Sequence, residues 1–572
     1  MADIGCLRRV EVLSTVSGGS IIGALYYLHL KDLLENVPDA DVTDEDYRTI
    51  VQRIENTLLT GVQTHLRARA LTGLLKNFCM AKPDYSRSDR MGELYDSTFY
   101  RPAWDSPLCG EQPAASEGGM IRMRELRIVP CGYDGEFDPD TDNGARRARV
   151  PVLVLNATSL NTGHNWRFEA IRMGEPSREE EAWLEVDKNT RLKSRSWATI
   201  AERQQDFELG LAVAASACVP GLFHPLAVSG LFVDEAGEPL RVELVDGGVH
   251  DNQGVGALVD RGCEQLIVSD ASGQMRDEVK PSTRIYAALG RSSSIYGDRV
   301  REEQLVGAWQ SPRPLALLHL RKGLPACGLS PRGADGSVEG TTTPGIIDYG
   351  VYPKVQRLLS EVRTDLDSFS EVEANSLALY GYLMGTSELD GVGCGEAVGD
   401  HDLGEFWTFW QLREEIEVPS PEYLRQLDVA SKKFFKAARL SAAGKVKAAA
   451  MAVLTLGGIV LLAAGLSYLL GLVRPVGEIL DTPVPLGKTV VVLLVVLSLV
   501  GILIGLYLKP TFRVPGARWL ADLIYERIVP VVMAPSLYLV AWATLWMHGD
   551  FLEAGRLEAV LGQSEQGEPV DE

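Results

Sequence analysis

Basic residues are scarce in this chain. Lys and Arg number 56 against 77 Asp and Glu, a net charge of −21 over 572 residues. So acidic a chain has no electrostatic footprint for nucleic acid, which is excluded as a partner. Histidine is equally thin, at 8 residues, and the 8 cysteines are scattered with no C-x-x-C pair. No metal-ligand spacing arises from them, so neither a metal nor an organic cofactor is implied. Reduced thiols in a cytosolic compartment are the simplest reading. No internal repeat divides the chain, which is longer than one typical domain.

What is present begins almost at once, in VEVLSTVSGGSIIGALYYL. Val10–Val16 is rich in β-branched residues and reads as a buried strand. Ser20–Leu30 reads as a helix with Ile21, Leu25 and Leu28 near one apolar face. Ser17, Gly18 and Gly19 lie between them. Strand, sharp turn with serine, then helix is the pattern of a nucleophile elbow. The turn lifts the hydroxyl out of the sheet, and the helix N-terminus favours developing negative charge. Gly18 and Gly19 supply the permissive backbone, and Gly18 a candidate oxyanion N–H. Thr15 stands where the usual elbow has its first glycine. Read without chemistry, Ser17 is a helix N-cap.

A second piece is LVDGGVHDNQG, in which a strand over Val242–Val245 delivers Asp246 onto a turn made by Gly247 and Gly248. Asp246 is either a base or a turn-forming Asx residue. VLNATSLNTGHNWRF (154–168) and ASACVPGLFHPL (215–226) complete the set. Together, in this order, the four pieces resemble the patatin-like phospholipases, over roughly Leu7–Ser272, with a fainter likeness continuing to about Met384. The resemblance implies an α/β fold, three layers with a mostly parallel sheet, and a Ser-Asp dyad. Ser17 is then the nucleophile and Asp246 the base, with Gly18, Gly19, Gly247 and Gly248 shaping the oxyanion and aspartate turns. A serine hydroxyl needs such a base within hydrogen-bond reach. His250, four residues after Asp246, is the competing base in a Ser-His-Asp arrangement. His164 and His224 read as structural.

The resemblance also implies a glycine-rich oxyanion loop ahead of the elbow, and none stands between Met1 and Ser17. Losing even one oxyanion donor costs on the order of 10²–10³ in rate. Two explanations compete. Either Met1 is an internal methionine of a longer chain, or the chain is a catalytically impaired relative.

The layout follows from composition. Residues 1–384 are expected to form the hydrolase domain, with 31–150 as an insertion. His65–Met80 within it reads as a basic amphipathic helix. An acidic connector and a basic juxtamembrane helix fill 385–445. Residues 446–548 hold long apolar runs at 448–473 and 489–508, each able to span a bilayer core that takes ~20 apolar residues. A third candidate span is 529–547. Basic residues before the first run and after the second place the catalytic domain in the cytoplasm. An acidic tail, 549–572, ends the chain.

The expected protein is a membrane-anchored serine lipid acyl hydrolase, with C-terminal transmembrane helices and membrane phospholipid as both substrate and surface. No particular protein partner is indicated. The alternatives are a lipid-binding or scaffold protein that has lost activity, and a serine peptidase or thioesterase.

Overall fold

The fold is taken from a computed structural model. It describes residues 1–73, 85–110, 119–176, 191–324 (except 273, 274 and 276), 348–362, 368–393, 406–431 and 529–564, and isolated positions 76, 79, 436, 440, 446 and 450. The chain divides into two units. One comprises 1–64, 88–433 and 555–572; the other comprises 65–87 and 434–554.

The first unit holds the main sheet. Its strands are β1 (Val12–Val16), β2 (Val152–Ser159), β3 (Asn165–Phe168), β4 (Arg172–Gly174), β5 (Arg195–Ser196), β6 (Leu226–Val233) and β7 (Pro239–Asp246). The order is β5-β4-β3-β2-β7-β6, with β1 also on β2. Only β1 and β2 run parallel. Every other pairing is antiparallel, and the sheet curls into a half-barrel. This corrects the expected mostly parallel sheet. The cause is connection length. Residues 160–164, 169–171 and 234–238 join successive strands, and a link so short can only reverse the chain, whereas a parallel neighbour needs a crossover of about a dozen residues. Gly163 and Gly237, at φ 78° and 82°, make two of these turns. β2 is the central strand and is buried along nearly its whole length.

Helix α1 (Gly18–Asn36) leaves β1 and is buried around most of its circumference, well past the expected end at Leu30. It lies so close to β1 that a Cβ at Gly23 would sit 2.5 Å from Thr15 Cγ2. Helix α2 (Asp44–Val62) opens with a capping box between Thr43 and Asp46. A second, two-stranded parallel sheet joins β8 (Leu266–Asp270) to β9 (Leu315–His319). Beyond it, the helix Glu371–Leu389 gathers an apolar core with Leu412, Ile416, Tyr423 and Leu427, completed by Leu557 and Val560 from the helix Leu557–Ser564. Cys6 is disulfide-bonded, while Cys79, Cys109, Cys131, Cys218 and Cys263 are free. The reading of all eight as reduced thiols is corrected accordingly.

In the second unit, the helix Leu66–Thr72 stops at Gly73, positions 76 and 79 are again helical, and the rest of the expected His65–Met80 helix lies outside the described residues. It packs against the helix Val529–Ala554. The His65 and His548 rings meet edge-on at 5.2 Å between centroids. Among the described residues, no helix is long and apolar enough to cross a membrane. The expectation of C-terminal transmembrane helices is corrected for the described residues, which include the third candidate span. That span, 529–547, falls on the helix Val529–Ala554, which carries Pro530 and Pro535 and runs on through His548, Asp550 and Glu553. The runs 448–473 and 489–508 lie outside the described residues, position 450 excepted.

Candidate active site

Register on β2 brings the two ends of the site together. β1 runs parallel to β2 and stops with Val16 opposite Asn156. β7 arrives from the other end, antiparallel, and stops with Asp246 opposite Ala157. β3 occupies the other edge of β2 across residues 155–158. β1 and β7 therefore share one edge and finish head to head on adjacent β2 positions. Ser17 follows the end of the first, and Asp246 is the end of the second.

Ser17 has φ 51° and ψ −125°, one of two described non-glycine residues with positive φ. Such a conformation costs of order 1–3 kcal/mol and persists only where its surroundings enforce it. The strain sits on the serine itself, whereas the sequence placed it on the glycines. Ser17 occupies the N-cap position of α1, yet its side chain caps nothing. Its influence falls on Asp246. Burial raises the Asp246 pKa above the usual carboxylate range, while hydrogen bonding from the Ser17 side chain and from the Gly248 N–H pulls it part of the way back. The two carboxylate oxygens differ. Oδ1 accepts the Gly248 N–H at 2.7 Å, the Asx turn expected of an Asp-Gly-Gly. Oδ2 is buried and has no well-aligned hydrogen bond.

Gly18 and Gly19 are exposed, and a Cβ on either would meet nothing within 4 Å. They keep the approach to Ser17 open and need no close packing; that demand falls on Gly23. Gly247 is the opposite case. A Cβ there would come 2.3 Å from the Asn156 carbonyl and 3.1 Å from Val16 Cγ1, because this turn is wedged where β1 and β7 meet. Gly248 packs against Asn252 Oδ1.

The N-A-T motif turns out to be the buttress. Asn156 Nδ2 donates to the Thr15 carbonyl and to Ser14 Oγ, both at 3.0 Å, and its Oδ1 accepts from Asn165 Nδ2 at 3.1 Å. Thr158 Oγ1 donates to the Asp246 carbonyl at 2.9 Å. One residue of β2 holds the serine strand and the next but one holds the aspartate turn. Sequence reading singled out the motif without these roles, because a polar side chain on a buried strand gives no hint of which backbone it will meet.

The histidines fall elsewhere. His250 supplies its carbonyl to Gln304 Nε2 at 3.2 Å, and it is not a hydrogen-bond partner of Asp246 Oδ2. His164 Nδ1 lies 3.3 Å from Glu175, and the His224 carbonyl accepts from Ser88 Oγ. Asp251, passed over in the sequence, caps the following helix through the Val255 and Gly256 N–H groups. Among the described residues, no group of three His, Cys, Asp or Glu could hold a metal ion.

The segment is thus organised around a strand–serine–helix elbow, with a carboxyl delivered to the same sheet edge. A segment of a little under half of the chain, residues 3–259, matches the family described as Patatin-like phospholipase. It includes every strand of the main sheet, both elbow glycines and the aspartate turn. No curated protein matches the chain in a whole-sequence comparison.

Proposed function

We propose that the chain hydrolyses carboxylic esters of phospholipids or lysophospholipids at a lipid surface, with Ser17 as nucleophile and Asp246 as the only base. The observation that carries this reading is the head-to-head ending of β1 and β7 on one edge of β2, with a strained serine at one end and a buried carboxyl at the other. Ser17 Oγ attacks the ester carbonyl carbon as its proton passes to Asp246. The oxyanion forms beside the exposed Gly18 and Gly19 N–H groups at the positive end of α1. Collapse expels the alcohol, which takes the proton from Asp246 and leaves an acyl-serine. Water, deprotonated by Asp246, then releases the fatty acid and restores the serine. A carboxylate whose pKa is raised by burial is a better base than one in water, which suits a dyad without histidine.

Covalent capture tests this. A fluorophosphonate probe should add one label per chain at Ser17. Ser17→Ala and Asp246→Asn should each abolish labelling and release of fatty acid from phospholipid vesicles, while His250→Ala keeps both. Sustained turnover by Asp246→Asn, with loss in His250→Ala, would transfer the base role to the histidine.

A further inference from the structure

Behind the elbow lies a single file of hydroxyl groups whose proton order can be fixed by counting donors and acceptors. Thr15 Oγ1 lies 3.2 Å from the Val154 carbonyl, which can only accept, so the threonine proton points there. Ser20 Oγ lies 3.0 Å from Thr15 Oγ1. With the threonine proton committed, Ser20 must be the donor in that pair. Ser20 Oγ also lies 2.8 Å from Ser216 Oγ. Since the Ser20 proton is already directed at Thr15, Ser216 donates here. The remaining capacity of Ser216 Oγ is as an acceptor, and the Ser17 backbone N–H fills it at 3.1 Å. The path runs one way: Ser17 N–H, Ser216, Ser20, Thr15, Val154 carbonyl. Ser20 and Ser216 are fully buried and Thr15 nearly so, which removes water as a substitute partner.

We infer that Ser216 is a positioning residue that holds Ser17 in its strained elbow conformation through this relay. Ser216 comes from the helix Leu209–Ala217, an element distant in sequence from the elbow. Its hydroxyl fixes the direction of the Ser17 amide, and that fixes where Cβ and Oγ lie relative to Asp246. Ser17 has positive φ, so its amide does not follow the ordinary hydrogen-bond pattern of a helix start, and a side-chain acceptor is what satisfies it. The relay ties that acceptor to β2, the strand that also carries the β1 and β7 ends. Without the Ser216 oxygen, the amide loses its partner and the elbow is free to relax. The bracing stands on geometry alone; its catalytic consequence rests on the hydrolase reading.

Two measurements on the full chain separate these. The first is hydrogen exchange at the Ser17 amide, independent of activity. In Ser216→Ala it should accelerate about tenfold or more relative to the amides of β2. Unchanged exchange overturns the inference, whatever happens to turnover. The second is the rate of fluorophosphonate capture, with kcat and KM on a soluble ester. Ser216→Ala should lower capture and kcat about 10–100-fold with KM within about twofold, the cost of a misplaced nucleophile. Thr15→Val removes a hydroxyl of nearly the same shape at the far end of the relay. It should lower both far less at a comparable loss of Tm. Rates that simply track Tm across the two variants overturn the inference. If the wild type takes up no label while its Ser17 amide responds as stated, the hydrolase reading falls and the bracing stands.

Discussion

Asp246 is a carboxyl held where its charge is disfavoured. Burial raises its folded-state pKa above the value it has in the unfolded chain, so folding favours the protonated form. That contribution to stability is complete at pH values below the unfolded pKa, near ~3.9, and is lost as pH rises through the folded pKa. Asp246→Asn keeps the neutral state at every pH and retains an oxygen for the Gly248 N–H. It should therefore raise Tm by about 1–3 °C at pH 7 and leave it unchanged near pH 3.5, as thermal unfolding at the two pH values will report. The same sign sets the acid limb of the rate: kcat/KM should fall as the base is protonated, with a midpoint above the ordinary aspartate value. Gly247 offers a purely steric counterpart. A methyl group 2.3 Å from a backbone oxygen cannot be relieved by a side-chain rotation, so Gly247→Ala should cost about 1–3 kcal/mol in chemical denaturation. Gly18→Ala meets open space and, by the same measurement, should cost less than about 1 kcal/mol.

At the level of elements, the candidate site is a matter of where β1 and β7 stop on β2. The turns that carry Ser17 and Asp246 are legible in the sequence, because strand–turn–helix and strand–Asp–Gly–Gly leave local marks in residue type. Their meeting is not. It depends on β1 pairing parallel with β2 while β7 pairs antiparallel on the same edge, and register is a long-range property with no local signature. The sheet's direction was misjudged although its turns were in view: the Asn161–Gly163 and Asp234–Gly237 stretches are the reversals that make it antiparallel. Asn156 is where this can be probed. Asn156→Ala removes the bonds to Thr15, Ser14 and Asn165 together, and should destabilise the protein by about 2–4 kcal/mol. It should also lower turnover more than an equally destabilising substitution in the Glu371–Leu389 core, when both are assayed well below their Tm.

For the molecule as a whole, each of the two units is built from separate stretches of the chain. The helix Leu557–Ser564 falls within the expected acidic tail, 549–572. Its helical period is only two turns deep, but Leu557 and Val560 are buried among Val372, Leu379 and Tyr423. The Leu557 N–H also bonds to Glu371. Val560→Ala should cost about 1–3 kcal/mol, measured by denaturant unfolding. Removing residues 555–572 should cost more, despite lying outside the family match.

That helix has a bearing on biosynthesis. The chain makes the elbow first, departs at 434, and returns to the same unit only at 555. In translation the serine strand therefore leaves the ribosome long before the apolar staple for the supporting helices. Throughout translation, Val372, Leu379 and Tyr423 present a greasy furrow awaiting its plug, a natural target for chaperones that bind unfinished cores.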